Sequence, residues 1–292
     1  MSVYKHNYRA YTGKITPLWS RVYVLARYAF EEAWSSKITV GLFTLSALPF
    51  IVFLGGIYLA NNPIARALIT RGNAHFAAID ARYFLTVIEV QSWAALVIMA
   101  WVAPRLITFD LADNALPILL SHPISRVSYV FGKFIALFAS LSVVTWLPCL
   151  ILFLYQGYSS PQPWMFGNLR IASGLLAGCI IWISFLSILG LALSSWVKWR
   201  VIATGLIFAA VFVPSGVGEI IRAVLRTKWG ILLNLPVIMS LLWQRLLGTP
   251  EPVFWSEDSI PTAGILIVLA LTCVICIAML NARIRAREVV RG

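Results

Sequence analysis

Charged side chains are scarce in this chain. Of its 292 residues only 12% are Asp, Glu, Lys or Arg, whereas 60% are hydrophobic, and the mean hydropathy is +0.86. A soluble globular domain carries about 25% charged residues, so the composition argues against an ordinary soluble protein. Several apolar runs reach the length of about 20 residues that a helix needs to cross a bilayer. We therefore predict an all-α polytopic membrane protein.

Sequence motifs for nucleotide, metal and nucleophilic chemistry are also missing. Neither Gly13-Lys14 nor Gly132-Lys133 has the spacing of a phosphate-binding loop, and the chain has no H-E-x-x-H or G-x-S-x-G motif. Four cysteines fall inside apolar runs, where such residues are small buried hydrophobes: Cys149, Cys179, Cys273 and Cys276. We therefore expect this chain to bind no metal and no cofactor.

Six apolar runs have the length and composition of membrane spans. Their predicted limits are residues 38–59, 83–103, 129–155, 171–193, 201–217 and 261–280. We expect Pro104 to end the second span, Pro148 to kink the third and Pro214 to break the fifth, because proline removes a helical hydrogen bond.

The net charge of +12 is distributed unevenly around the predicted six-span domain, 38–280. With both termini in the cytoplasm, the inner segments hold 15 Lys and Arg in 86 residues and the outer segments hold 8 in 81. Basic residues concentrate on the cytoplasmic side of membrane proteins. The asymmetry therefore supports a topology in which residues 1–37 and the basic tail, 281–292, are cytoplasmic. It also explains the positive charge without a nucleic acid partner.

Residues 1–37 contain no cleavable signal peptide, because no long apolar run begins before the first span. Thr16-Pro17 predicts a helix start, and apolar residues follow at helical spacing from Trp19 to Trp34. Three charged residues lie off that stripe: Arg21, Arg27 and Glu31. We predict an amphipathic interfacial helix, which serves as a membrane-surface anchor or as a lever packed against the first span.

A polar stretch, 105–126, separates the second and third spans. Its apolar residues share one face at helical spacing: Phe109, Ala112, Leu116, Leu119 and Leu120. Asp110, Asp113 and Asn114 lie off that face. We predict a short cytoplasmic amphipathic helix that a soluble motor domain could grip, and the alternative is a turn that re-enters the membrane interface.

The outer stretch, 218–260, mixes apolar residues with prolines and polar side chains. We predict two shorter helices in or against the outer leaflet, re-entrant in part, rather than a seventh span. A seventh span would place the arginine-rich carboxyl end outside, and irregular backbone at membrane depth is tolerated where protein covers it.

Ionisable residues are rare inside the predicted spans, and Glu89 in the second span stands out. A charged side chain at the bilayer centre costs about 2.5–3.5 kcal/mol on insertion scales. Glu89 is therefore either interfacial or paired, or it lines a substrate path. So few acids disfavour a proton- or sodium-coupled carrier, and the energy for any transport is expected to come from elsewhere.

Three features make the chain resemble the permease subunits of ABC exporters of the type-2 (ABC-2) class. The first is the order of parts: an amphipathic amino-terminal helix, six spans, a coupling helix between the second and third, and re-entrant outer helices before the sixth. The second is the run Leu-Ser-His-Pro-Ile-Ser-Arg at 120–126 with Gly132-Lys133 after it, and the third is the arginine-rich tail, 283–290.

The chain departs from that family in the coupling helix. Many relatives carry an acidic residue followed by Gly-Thr there, whereas this chain has Asp113-Asn114-Ala115 or Asp110-Leu111-Ala112. Which of the two acids faces the ATPase is left open by this difference.

The resemblance implies a transport subunit of the cell (cytoplasmic) membrane that is not itself an enzyme. Its expected partners are cytoplasmic ABC ATPase subunits, which hold the ATP and magnesium, a second permease subunit in a homodimer or related heterodimer, and membrane lipid. The implied ATPase-coupling residues are Asp110, Asp113, Asn114, Ser125 and Arg126, with Arg21, Arg27 and Glu31 as accessory contacts. Two alternatives are the scaffold of a mechanically acting ABC complex and a lipid-modifying enzyme that would use Arg222, Arg226 and Lys228.

Overall fold

The computed structural model describes residues 17–64, 78–112, 125–160, 164–249 and 260–289. Within these ranges the chain forms helices and turns, and no strand. The helices are α1 (Leu18–Trp34), α2 (Lys37–Asn61), α3 (Ala81–Ala112), α4 (Arg126–Val144), α5 (Trp146–Ser159), α6 (Trp164–Gly167), α7 (Leu169–Trp196), α8 (Arg200–Leu225), a 3₁₀ helix (Lys228–Leu233), α9 (Leu235–Leu247) and α10 (Thr262–Val289).

Six helical stretches in the described ranges are long and apolar enough to cross a membrane. They are α2, α3 as far as Thr108, α4 together with α5, α7, α8, and α10 as far as Arg283. The predicted all-α fold with six spans is therefore confirmed.

Helix α7 lies at the centre of the bundle. In its most apolar part 67% of the residues are buried, against 17% in α2 and 22% in α10, which therefore lie at the periphery. Glycines bring neighbours close to α7: a Cβ on Gly178 would lie 2.6 Å from Trp243 Cδ1, and one on Gly190 would lie 2.6 Å from Met99 Sδ. Small residues of this kind let helices in a membrane pack closely.

The second span passes through Pro104 instead of ending there, and α3 continues to Ala112. Proline lacks the N–H that would bond to the carbonyl four residues earlier, which here belongs to Ala100. The Thr204 hydroxyl of α8 donates to this carbonyl at 2.9 Å. The predicted end at Pro104 is therefore wrong, because a side chain of a neighbouring span supplies the missing donor.

The fifth span is also longer than predicted, since α8 continues through Pro214 to Leu225. The Ser215 hydroxyl donates to the Val211 carbonyl at 2.6 Å, in the turn that contains the proline. The carbonyl that Pro214 leaves without its helical donor is that of Ala210, so this bond does not replace the lost one, and the helix continues nevertheless. The expected break is therefore wrong, and the first of the two predicted outer helices is the end of this span.

The third span is interrupted, as Pro148 predicts. Helix α4 ends at Val144 and α5 starts at Trp146, with Thr145 between them at φ −103° and ψ −93°. The ring of a proline in a helix collides with the carbonyl four residues earlier, which is that of Val144. The break therefore lies about one turn before the proline.

The chain reverses direction after α8. Arg226 adopts the left-handed conformation, with φ 47° and ψ 40°, and the 3₁₀ helix then packs back against α8. Two glycines allow this approach, because a Cβ on Gly230 would lie 2.5 Å from the carbonyl oxygen of Gly218. The absence of a side chain at both positions therefore permits the hairpin.

Helix α9 continues the returning segment beside α7. Asn234 caps it by accepting a hydrogen bond from the Val237 N–H at 3.4 Å and donates to Glu219 at 3.0 Å. At its other end a Cβ on Gly174 would lie 2.9 Å from the Leu246 carbonyl oxygen. The second predicted outer helix is thus a 3₁₀ turn followed by α9, and its depth in the bilayer stays a prediction.

Helix α1 packs most extensively against α4, and less against α2. Its buried face is formed by small and β-branched residues at helical spacing: Val22, Ala26, Ala29 and Ala33. Trp34 contacts Phe43 of the first span, with ring centroids 4.2 Å apart, whereas Trp19 and Tyr23 of the predicted stripe are exposed. The main neighbour of α1 is therefore the third span rather than the first.

The hairpin contact predicts opposite effects for two glycines of α8. We expect Gly218→Ala to destabilise the protein by about 1–3 kcal/mol, because its Cβ would overlap the Gly230 carbonyl oxygen. Gly216→Ala is the control, since its Cβ would meet nothing within 4 Å and alanine favours helix. Thermal unfolding in detergent measures both, and equal midpoints for the two variants would contradict the hairpin.

Candidate coupling site and membrane cavity

Lys133 is a charged residue buried in the first half of α4, with a side chain that is 5% exposed. Its Nζ lies 2.9 Å from Oδ2 of Asp110 and 3.6 Å from Oε2 of Glu32. Asp110 belongs to the end of α3 and Glu32 to α1. One amine therefore joins three helices.

Tyr129 completes this group, which we call the Lys133 cluster: Lys133, Asp110, Glu32 and Tyr129. Its hydroxyl donates to the same Oδ2 of Asp110 at 2.6 Å, and the Lys133 amine lies 5.9 Å from its ring centroid. Oδ2 of Asp110 thus lies within hydrogen-bonding distance of an ammonium group and of a phenol hydroxyl. Hydrogen bonds with an ionised partner are stronger than bonds between neutral groups. Glu32 is the most exposed acid of the cluster, with 39% of its side chain accessible.

Local features of the sequence bring these residues together. Asp110 reaches the cluster because α3 continues past Pro104. Helix α1 reaches it because a glycine precedes Lys133: a Cβ on Gly132 would lie 2.8 Å from Leu25 Cδ2. Gly132 therefore lets α1 approach α4 closely, and this approach covers the amine of the neighbouring Lys133.

The predicted coupling helix begins inside α3, because Phe109, Asp110 and Ala112 belong to that continuous helix, and Asp110 is also a member of the Lys133 cluster. Residues 113–124 lie between the end of α3 and the start of α4, and Asp113 and Asn114 are outside the described residues. Ser125 caps α4 by accepting a hydrogen bond from the Ser128 N–H at 3.1 Å. Of the five predicted coupling residues, the structure brings Asp110 into an internal ion pair, so its contact with an ATPase stays a prediction.

The remaining predicted residues occupy separate places. Arg126 lines an apolar groove of about 460 Å³ between α4 and the ends of α7 and α10. Arg27 and Glu31 form an exposed pair on α1 at 2.8 Å, and this hydrogen bond raises the pKa of Arg27 above its ordinary value. Arg21 lies on the same helix. Their contacts with a partner likewise stay predictions.

Sequence reasoning assigned no role to Lys133, Glu32 or Tyr129. A signal was present, because a lysine inside an apolar run requires an acidic partner. Its partners were not identifiable, since one lies on the amino-terminal helix and the other lies beyond a proline that was expected to end the second span.

A second polar site surrounds Glu89, at a cavity of about 260 Å³. Helices α3, α7, α8 and α9 contribute to its lining. The Ser240 hydroxyl donates to Oε1 of Glu89 at 2.6 Å, and Gln244 Nε2 donates to the Ser240 hydroxyl at 3.1 Å. Glu89 is therefore hydrogen-bonded within the bundle and also accessible from the cavity.

Tryptophans form much of the cavity wall: Trp93, Trp182 and Trp243. The ring centroids of Trp182 and Trp243 lie 5.9 Å apart in an edge-to-face arrangement. Their indole N–H groups donate to the carbonyls of Ser92 and Gly178, both at 3.3 Å. Since buried indoles need such partners, these bonds fix the two rings beside the carboxylate.

No group of three or more His, Cys, Asp or Glu side chains that could hold a metal ion occurs in the described parts of the chain. The four cysteines are unpaired, and three of them are buried. The two polar sites of the described residues are the Lys133 cluster, which is a buried group of ion pairs, and the Glu89 carboxylate in its tryptophan-lined cavity.

Residues 84–242, more than half of the chain, match the family model described as ABC-2 family transporter protein. The match begins in α3 and ends in α9, so it includes every residue that lines the Glu89 cavity except Trp243, and every residue of the Lys133 cluster except Glu32. No curated protein matches the chain.

The Lys133 cluster predicts a non-additive effect on stability. Lys133→Met should destabilise the protein by about 3 kcal/mol, because it leaves two acids without their cation. Adding Asp110→Asn should restore part of this loss, since the less exposed acid is then neutral. Thermal unfolding of the single and double variants measures the coupling, with the exposed Lys228→Met as control. Strict additivity of the two substitutions would contradict the ion pair.

Proposed function

The chain belongs to the ABC-2 family of transporter proteins, and we propose that it exports a substrate across the cytoplasmic membrane with ATP hydrolysed by a separate subunit. Family membership makes it a multi-pass membrane permease component of an ABC transporter, which works with an ABC ATPase. Its sequence contains no phosphate-binding loop, so ATP and magnesium belong to the partner.

The Lys133 cluster is the observation that carries this proposal. It binds α1 to the two helices that flank residues 113–124. Force applied to that segment by a closing ATPase reaches the second span, the third span and α1 together, because one buried amine holds all three. In this proposal the ATPase contacts the coupling residues Asp110, Asp113, Asn114, Ser125 and Arg126. Of these, Asp110 also joins the coupling segment to Lys133.

Exposed residues of α1 provide a second contact in the proposal. Arg27 and Glu31 lie on the exposed face of the helix whose opposite face packs on α4. An ATPase that touches both this face and residues 113–124 would act on either side of the Lys133 cluster. Arg21 on the same helix is included as an accessory contact.

The peripheral spans support an assembly with a second permease subunit and with lipid. Only 28% of the most apolar part of α8 is buried, and large hydrophobic side chains are exposed along its length: Val201, Ile202, Phe212, Val213, Val217 and Ile220. Apolar surface on this scale requires lipid or another apolar surface as its surroundings. A second permease subunit, in a homodimer or related heterodimer, provides such an apolar surface. In this proposal both termini of the chain lie in the cytoplasm.

A mechanically acting ABC scaffold would use the same coupling elements. The cavity beside Glu89 favours transport, since a scaffold has no need of a cavity among its spans that presents a carboxylate. For a lipid-modifying enzyme the described outer segment offers little, because Arg222 forms an ion pair with Glu219 at 3.2 Å.

Charge reversal at Asp113 tests the coupling segment. Co-expressed with an ABC ATPase that co-purifies with the wild-type chain, the Asp113→Lys variant should retain about tenfold less ATPase on affinity purification, a loss of about 1.4 kcal/mol. Lys228→Glu, a reversal at an exposed residue on the predicted outer side, should retain the wild-type amount. Equal ATPase recovery and equal transport in vesicles for all three proteins would refute this docking site.

A further inference from the structure

We infer that the cavity beside Glu89 binds a monovalent organic cation, an ammonium group attached to a small apolar body. The inference rests on the proposed transport function, because it names the class of substrate for the same chain. It depends on the charge of the cavity, on its aromatic lining and on its size.

The carboxylate of Glu89 has no cationic partner in the described residues. Its Oε1 accepts the Ser240 hydroxyl at 2.6 Å, and no lysine, arginine or histidine of the described ranges forms an ion pair with it. Charged groups inside proteins are otherwise paired or coordinate a metal. The acids of the Lys133 cluster have their lysine, so Glu89 differs from them in lacking a counter-charge, which a cationic ligand would supply.

The tryptophans of the lining favour a cation over an anion. The electron-rich face of an indole attracts ammonium groups, and tryptophan is the best of the aromatic residues for this contact. The N–H groups of Trp182 and Trp243 donate to backbone carbonyls, so they are not available to bind a carboxylate or phosphate. Together with Glu89, these rings make the wall attractive to positive charge. The two indole N–H groups are already bonded, so they do not bind an anion.

The remaining lining sets the character of the rest of the ligand. Leu96, Val211 and Met239 line the cavity together with the tryptophans, so the body of the ligand must be apolar. Sites for drug-sized molecules occupy about 300–1,000 Å³, whereas this cavity has about 260 Å³. A benzyl or short alkyl ammonium fits this volume, and a two-chain lipid does not.

Binding of tritiated benzyltrimethylammonium to the purified full-length chain in detergent, measured by scintillation proximity, tests the inference. The wild type should bind it saturably, and unlabelled benzenesulfonate, an aromatic anion of similar size, should not compete. Glu89→Gln should raise the Kd at least tenfold, because the amide keeps an acceptor for Ser240 and loses the charge. Trp182→Phe, which keeps an aromatic ring of weaker cation affinity, should raise it several-fold.

The control is Glu219→Gln, which removes a carboxylate that already has Arg222 and Asn234 as partners outside the cavity. It should bind the cation as the wild type does. Absence of saturable binding to the wild type, or an unchanged Kd in Glu89→Gln, would overturn the inference. The assay needs no ATPase, so cation binding without ATPase recovery would refute the proposed function alone, and transport without cation binding would refute this inference alone.

Discussion

The structure depends on one buried amine. A lysine inside a membrane domain is costly unless acids surround it, and Lys133 meets that requirement with Asp110 and Glu32 from two other helices. The ion pair in turn requires that α3 extend to Asp110, that α1 lie against α4, and that Gly132 leave room for Leu25. Together these features satisfy a single buried charge.

The prolines show what local sequence can and cannot predict. An apolar run of span length is a local property, so the number of spans and the all-α class followed from the sequence alone. The effect of a proline depends on whether another group lies close enough to donate a hydrogen bond to the carbonyl four residues before it. At Pro148 the helix breaks. At Pro104 the hydroxyl of Thr204 replaces the lost donor and the helix continues. That hydroxyl belongs to another span, so no local pattern reveals it.

The candidate sites were predictable to different degrees for the same reason. Glu89 was identified because an acid in an apolar run is conspicuous, but its partner Ser240 and two of the surrounding tryptophans, Trp182 and Trp243, come from α7 and α9. Asp110 was identified from its place in a polar stretch, although its internal pairing depends on a lysine in the next span. Residue type therefore indicated where chemistry is concentrated, and packing determined which groups meet. The division into 1–37, 38–280 and 281–292 stays a prediction.

Helix α3 connects the two sites. Glu89 faces the cavity and Asp110 binds Lys133 on the same continuous helix, about 31 Å apart at a rise of 1.5 Å per residue. A helix broken at Pro104 would separate the cavity from the coupling segment, and the bond from Thr204 to Ala100 preserves the connection at that point. Because the helix is continuous, the proposed displacement of Asp110 with Lys133 and α1 would also move Glu89 relative to Ser240 on α9. The feature that the sequence pattern misjudged, continuation through a proline, is thus the one that links the proposed ATPase contact to the cavity.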